Sequence, residues 1–137
     1  MQEEQPTYFE DLDVGITCPH EDALPPDGKK VFYRYIHRDI VKSESFLPTV
    51  PKPDKPLPYY YDQCVGKAVS LFDHLDALRN GVFSLPHHKG KKRIVGIIKL
   101  TEKDGLIKQI GHKNHHSWWR SQQFDYTAVH TKEIVIE

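Results

Sequence analysis

The chain has 137 residues and a mass of 16.0 kDa, enough for one modest hydrophobic core. Hydrophobic residues make up 38% and charged residues 28%, a globular composition that excludes collagen-like, low-complexity and largely disordered chains. No apolar run approaches the roughly 20 residues that a membrane-spanning helix needs, and the acidic start MQEEQPTYFEDLD is unlike a secretory signal. A cytoplasmic location is the resulting expectation. Two cysteines, Cys18 and Cys64, form no disulfide framework by count and read equally well as reduced thiols.

Nineteen basic and nineteen acidic residues cancel, but they are not evenly mixed. Residues 1–28 carry eight acids and no Lys or Arg, so that segment is −8 and residues 29–137 are +8. The division expected is an acidic N-terminal arm, 1–28, followed by a single α+β domain, 29–137. Nine of the ten prolines lie in residues 1–58, which gives the N-terminal part an extended, proline-stiffened texture.

In chain order, Pro25-Pro26-Asp27-Gly28 is turn chemistry before the first strand. Val31–Arg38 is β-branched and aromatic and reads as a strand with large groups on both faces, hence one covered on both sides or central in a sheet. Pro48–Pro58, with five prolines, predicts a polyproline-like crossing. Tyr59–Val65 suits a short helix, and Ala68–Phe72 a short strand or the continuation of that helix. Asp73 reads as the cap of a helix over His74–Asn80, with Gly81 just past its end. Lys91–Thr101 predicts a second strand, Glu102–Gly105 a turn, and Leu106–Ile110 the returning half of a basic hairpin. Ser117–Tyr126 reads as helical or irregular, and Glu133–Glu137 as a last strand. The fold class expected is α+β: a small domain, mostly antiparallel sheet, with one or two short helices and the extended Pro-rich N-terminal part.

Candidate chemistry concentrates in Gly111–Arg120, which packs His112, His115, His116, Ser117, Trp118, Trp119 and Arg120 together. Three imidazoles suggest a metal site, to which Cys18 and His20 could add ligands, but the spacing matches no zinc signature and no metal site or cofactor is assigned. Adjacent tryptophans on a strand point to opposite faces, so one is expected in the core and the other exposed as a stacking platform. His115 or His116 with Arg120 could serve acid–base chemistry beside a phosphate, and a Cys64–His pair could serve as a nucleophile. Lys91, Lys92 and Arg93 form a basic block suited to a protein or anionic partner.

A further set spans the chain: Arg34 in the first strand, Ser70-x-Phe72 in the middle and Glu133 before the last strand. Their order resembles the ADP-ribosyltransferase-like fold over those three positions. The resemblance implies that Arg34 holds a dinucleotide, Ser70 braces the site and Glu133 orients the ribose. Two functions are therefore expected to compete. One is an interaction module for a protein or an anionic nucleotide or nucleic-acid partner, using Lys91, Lys92, Arg93, Trp118 and Trp119. The other is a small enzyme acting on a nucleotide or nucleic acid through His115, His116, Arg120, Arg34, Ser70 and Glu133.

Overall fold

A computed structural model describes Tyr8, Glu10, Leu12, residues 17–36, Phe46, residues 63–111 and residues 113–136. Six strands form one antiparallel sheet: β1 (Val31–Ile36), β2 (Val69–Phe72), β3 (Lys92–Lys99), β4 (Gly105–Gln109), β5 (His115–Arg120) and β6 (His130–Val135). Their order across the sheet is β4-β5-β2-β1-β3-β6. Two one-turn helices, α1 (Gln63–Gly66) and α2 (Leu75–Leu78), flank β2. This is the expected α+β class, dominated by sheet. The proline-rich crossing, residues 37–38 of the first predicted strand and His112 lie outside the described residues.

β1 is central, as its two bulky faces require. Phe32 and Ile36 enter one core with Val69, Leu71, Ile98, Leu100 and Trp118. Tyr33 and Tyr35 pack into a second with Leu78, Phe83, Val95 and Ile134. A third cluster, Ala23, Cys64, Ala68 and Trp119, joins the N-terminal arm to β5. The arm is tied down by covalent and polar links. Cys18 and Cys64 form a disulfide with Cα atoms 5.4 Å apart, so neither is a free thiol. Leu24 bridges Ile107, Tyr8 bridges Ser121, and Lys108 pairs with Asp22 at 2.8 Å.

Three local expectations are corrected. The Lys91–Ile110 hairpin does not form, because both edges of β3 are already occupied by β1 and β6 over six residue pairs each. A turn over Glu102–Asp104, closed by reciprocal Thr101 and Asp104 capping bonds, leads the chain to β4, which pairs with β5 instead. Gly105 is essential to that exit: its φ is +125°, and a Cβ there would sit 2.0 Å from the Trp119 carbonyl oxygen. Second, Asp73 does not cap α2. His74 occupies the N-cap without a side-chain cap bond, and the helix continues as a π-helical turn over Arg79–Phe83, so Gly81 lies inside it, against the Phe72 ring. Third, the segment read as helical or irregular is strand β5 as far as Arg120, held by four pairs to β2 and five to β4. β6 likewise starts earlier than predicted, at His130.

Candidate functional site

Asp73 is drawn away from capping by a stronger set of donors. His116 Nε2 donates to its Oδ2 at 2.9 Å, Asn114 Nδ2 to Oδ1 at 2.8 Å, and Lys30 Nζ lies 3.1 Å from Oδ2. Burial opposes ionisation of Asp73, but these three donors outweigh it and hold the carboxyl at a pKa of about 2. The other ring nitrogen of His116, Nδ1, is buried and makes no hydrogen bond among the described residues. His116 is therefore a pinned, structural imidazole.

The neighbouring His115 points to the opposite face, as strand alternation demands. Its Nδ1 donates to the Ile110 carbonyl at 2.6 Å, while Ile110 N donates to the His115 carbonyl at 3.3 Å. Because a carbonyl can only accept, the proton of neutral His115 sits on Nδ1 and the lone pair on Nε2. That lone pair faces Ser70 Oγ at 2.5 Å, so the serine hydroxyl donates to it. Phe72, directly across from His115 in the β2–β5 register, meets the imidazole edge-to-face at 5.3 Å and fixes its plane.

β1 and β2 are in register only at Tyr33 and Phe72. Beyond that pair the strands part, and the Ser70 carbonyl is met by a side chain: Arg34 Nη1 donates to it at 2.8 Å. Burial, reinforced by repulsion from Arg120, lowers the Arg34 pKa to about 10, so its guanidinium is still charged at neutral pH. Arg34 and Ser70 line a cavity of about 350 Å³ together with Tyr35, Phe72, His87 and His88. His88 is held there by Arg93, whose Nε donates to its Nδ1 at 3.0 Å and whose guanidinium lies 5.9 Å from the Tyr35 ring centre. Arg93 thus approaches the cavity from β3, while Lys91 and Lys92 are exposed and Lys92 lies 3.8 Å from Glu133.

The remaining sequence candidates are placed elsewhere. Trp118 and Trp119 are both fully buried, their indole N–H groups donating to the carbonyls of Asp104 and Cys64 at 2.9 Å. Neither is an exposed platform, because the arm and α1 cover the face where one was expected to emerge. Arg120 is buried and held by Glu10, with Nε and Nη2 both 2.7 Å from Oε1. Glu133 lies across from Ile94 on edge strand β6, exposed and 3.8 Å from Lys92. Ile94 packs toward the Phe32 core, so Glu133 is on the other side of the sheet from Ser70 and separated from it by β1 and β3. Arg34 meets Ser70 only at its main-chain carbonyl, reaching it from the face that carries Phe32 and Ile36, and Glu133 does not join them. Cys18 and Cys64, being bonded to each other, supply neither a metal ligand nor a nucleophile. Among the described residues no group of three His, Cys, Asp or Glu could hold a metal ion.

Tyr35 and the His87–His88 pair went unassigned in the sequence. The signal available for them was position: Tyr35 shares a strand with Arg34, and Arg93 lies five residues beyond His88. No family model matches this chain, no curated protein resembles it in sequence, and no solved structure matches its fold.

Proposed function

We propose that the chain is a small binding module that recognises an anionic partner of the nucleotide class through the cavity between β1, β2 and α2. The observation that carries this reading is Arg34: a charged, buried guanidinium at the parting of two central strands, on a residue that borders a cavity. A phosphate oxygen brought into the cavity can add a charge-assisted hydrogen bond to those the guanidinium already makes. At about 350 Å³ the cavity is at the small end of ligand sites, suited to a phosphate-bearing fragment. Tyr35 offers a ring in the same wall, and Arg93, 5.9 Å from that ring, adds positive potential along the approach. Trp118 and Trp119 drop out of the partner surface. In the enzymatic alternative, of the expected residues Ser70 meets His115 through its hydroxyl and Arg34 through its carbonyl.

Titration calorimetry with inorganic pyrophosphate tests the reading. Wild-type protein is expected to bind in a salt-dependent manner, and Arg34→Met to weaken binding at least about tenfold, the loss of one charge-assisted contact. Reversal of Lys91, Lys92 and Arg93 to Glu is expected to weaken it further. Binding that ignores Arg34→Met rejects the cavity as the site.

Among the described residues no helix is long and apolar enough to cross a membrane. The cytoplasmic location expected from the sequence conflicts with a standing Cys18–Cys64 disulfide, a bond that lasts in oxidising compartments and is opened in a reducing cytosol. Thiol titration of the protein as its host makes it decides between them: two free thiols keep the cytoplasm, none moves the protein out of it.

A further inference from the structure

We infer that Ser70 is an activated nucleophile and that the cavity performs acyl transfer on a carboxylic ester bearing an anionic group. The substrate class rests on the anion-binding reading above; the nucleophile stands on its own geometry. A serine hydroxyl is a weak nucleophile unless a base takes its proton and a third group keeps that base in the right tautomer. All three parts are present. Ser70 Oγ is 2.5 Å from His115 Nε2, and His115 Nδ1 is 2.6 Å from the Ile110 carbonyl, which compels the tautomer that leaves Nε2 free to accept. The three groups come from two adjacent strands and the end of a third, so the arrangement is held by the sheet ladder rather than by a loop.

A serine that merely satisfied a cross-strand histidine would not need to border a cavity. Ser70 does border one, and its own carbonyl is gripped by Arg34. That bond fixes the Ser70 backbone and sets a cation on a residue that borders the same cavity, where it can hold a carboxylate or phosphate on the substrate.

The chemistry balances without a cofactor. Ser70 Oγ attacks the ester carbonyl carbon while its proton passes to His115 Nε2. The bond from that carbon to the alcohol oxygen breaks, and the alcohol leaves with the proton from Nε2. Water then attacks the acyl-serine, giving a proton to Nε2. The bond between Ser70 Oγ and the acyl carbon breaks, Oγ recovers the proton, and a carboxylic acid departs.

The test uses the intact protein with p-nitrophenyl acetate and with its anionic counterpart, mono-p-nitrophenyl succinate. Wild type is expected to release a burst of one equivalent of p-nitrophenolate and to carry the acyl group on the Ser70 peptide by mass mapping. Ser70→Ala should show neither. Ser70→Cys should restore the labelling, which excludes a folding defect as the cause. His115→Gln should slow acylation about 100-fold, the usual contribution of a positioned base. The succinyl ester should react faster than the acetyl ester in wild type, an advantage lost in Arg34→Met. Unlabelled Ser70 in protein that still binds pyrophosphate overturns the nucleophile and spares the binding reading. Equal labelling of Ser70 in wild type and His115→Gln overturns it as well. Rapid Ser70 acylation with no succinyl advantage upholds the nucleophile and removes the anionic substrate.

Discussion

Replacing Asp73 with Asn should cost stability at neutral pH and cost nothing in strong acid. Asp73 accepts from His116 and Asn114, and Lys30 sits 3.1 Å from it. Its pKa falls from 3.8 to about 2 on folding. A tenfold change in an acid dissociation constant corresponds to about 1.4 kcal/mol, so the full linkage would be near 2.5 kcal/mol. Lys30 is half exposed and solvent screens its share, which brings the expected value to about 1–2 kcal/mol. The sign follows from a depressed carboxyl pKa. The contribution is complete above the unfolded value near 4 and is lost as pH falls through about 2. The amide adds a second penalty at neutral pH, since it keeps one acceptor oxygen where the carboxylate offers two, one to His116 and one to Asn114. Urea unfolding of wild type and Asp73→Asn at pH 6 and pH 2 reads both effects. A stability gap of the same size at the two pH values refutes the assignment of Asp73 as an ionised acceptor.

Further outcomes follow from the ties that hold the arm and turn. Reduction of Cys18–Cys64, which closes a loop of 46 residues, should lower stability by about 2–4 kcal/mol in denaturant titrations, and an unchanged midpoint would mean that the reduced chain is equally constrained. Gly105→Ala forces a Cβ against the Trp119 carbonyl at a positive φ and should cost at least about 3 kcal/mol; a stable alanine variant would show that the exit from β3 can rearrange. Burial raises the Glu10 pKa although Arg120 pulls it down, so this pair is positioned rather than strongly stabilising. Glu10→Gln, which leaves Arg120 buried and charged, should therefore be less stable than the double variant Glu10→Gln, Arg120→Met, and the reverse order in melting experiments would contradict that.

Much of the sheet was legible because strand signals are local. Val31–Ile36 carries its β-branched and aromatic residues on both faces, and a strand of that kind belongs in the centre. Pairing is not local. Glu-Lys-Asp-Gly has the chemistry of a hairpin turn, but the outcome depended on β1 and β6 claiming both edges of β3. The acidic residue before α2 had a cap's chemistry and went to His116 and Lys30, 43 residues distant in both directions, because the Lys30 ammonium offers a charge and the His116 ring a fixed donor that a short helix does not. The two tryptophans illustrate the same limit: alternation correctly sent them to opposite faces, while the arm that covers the second face could not be placed from sequence. In the site, Arg34, Ser70 and His115 were recognisable by type. Their meeting depends on the parting of β1 from β2 and on the diagonal between neighbouring strands, neither of which leaves a mark in the residues themselves.

The central claim is that Arg34 makes the cavity an anion site, and calorimetry of pyrophosphate against wild type and Arg34→Met at two salt concentrations tests it most directly. Binding is expected to weaken with salt and to fall at least about tenfold in the variant, with both proteins equally folded by circular dichroism. Absence of binding to the wild type, or equal affinity in the two proteins, would contradict it.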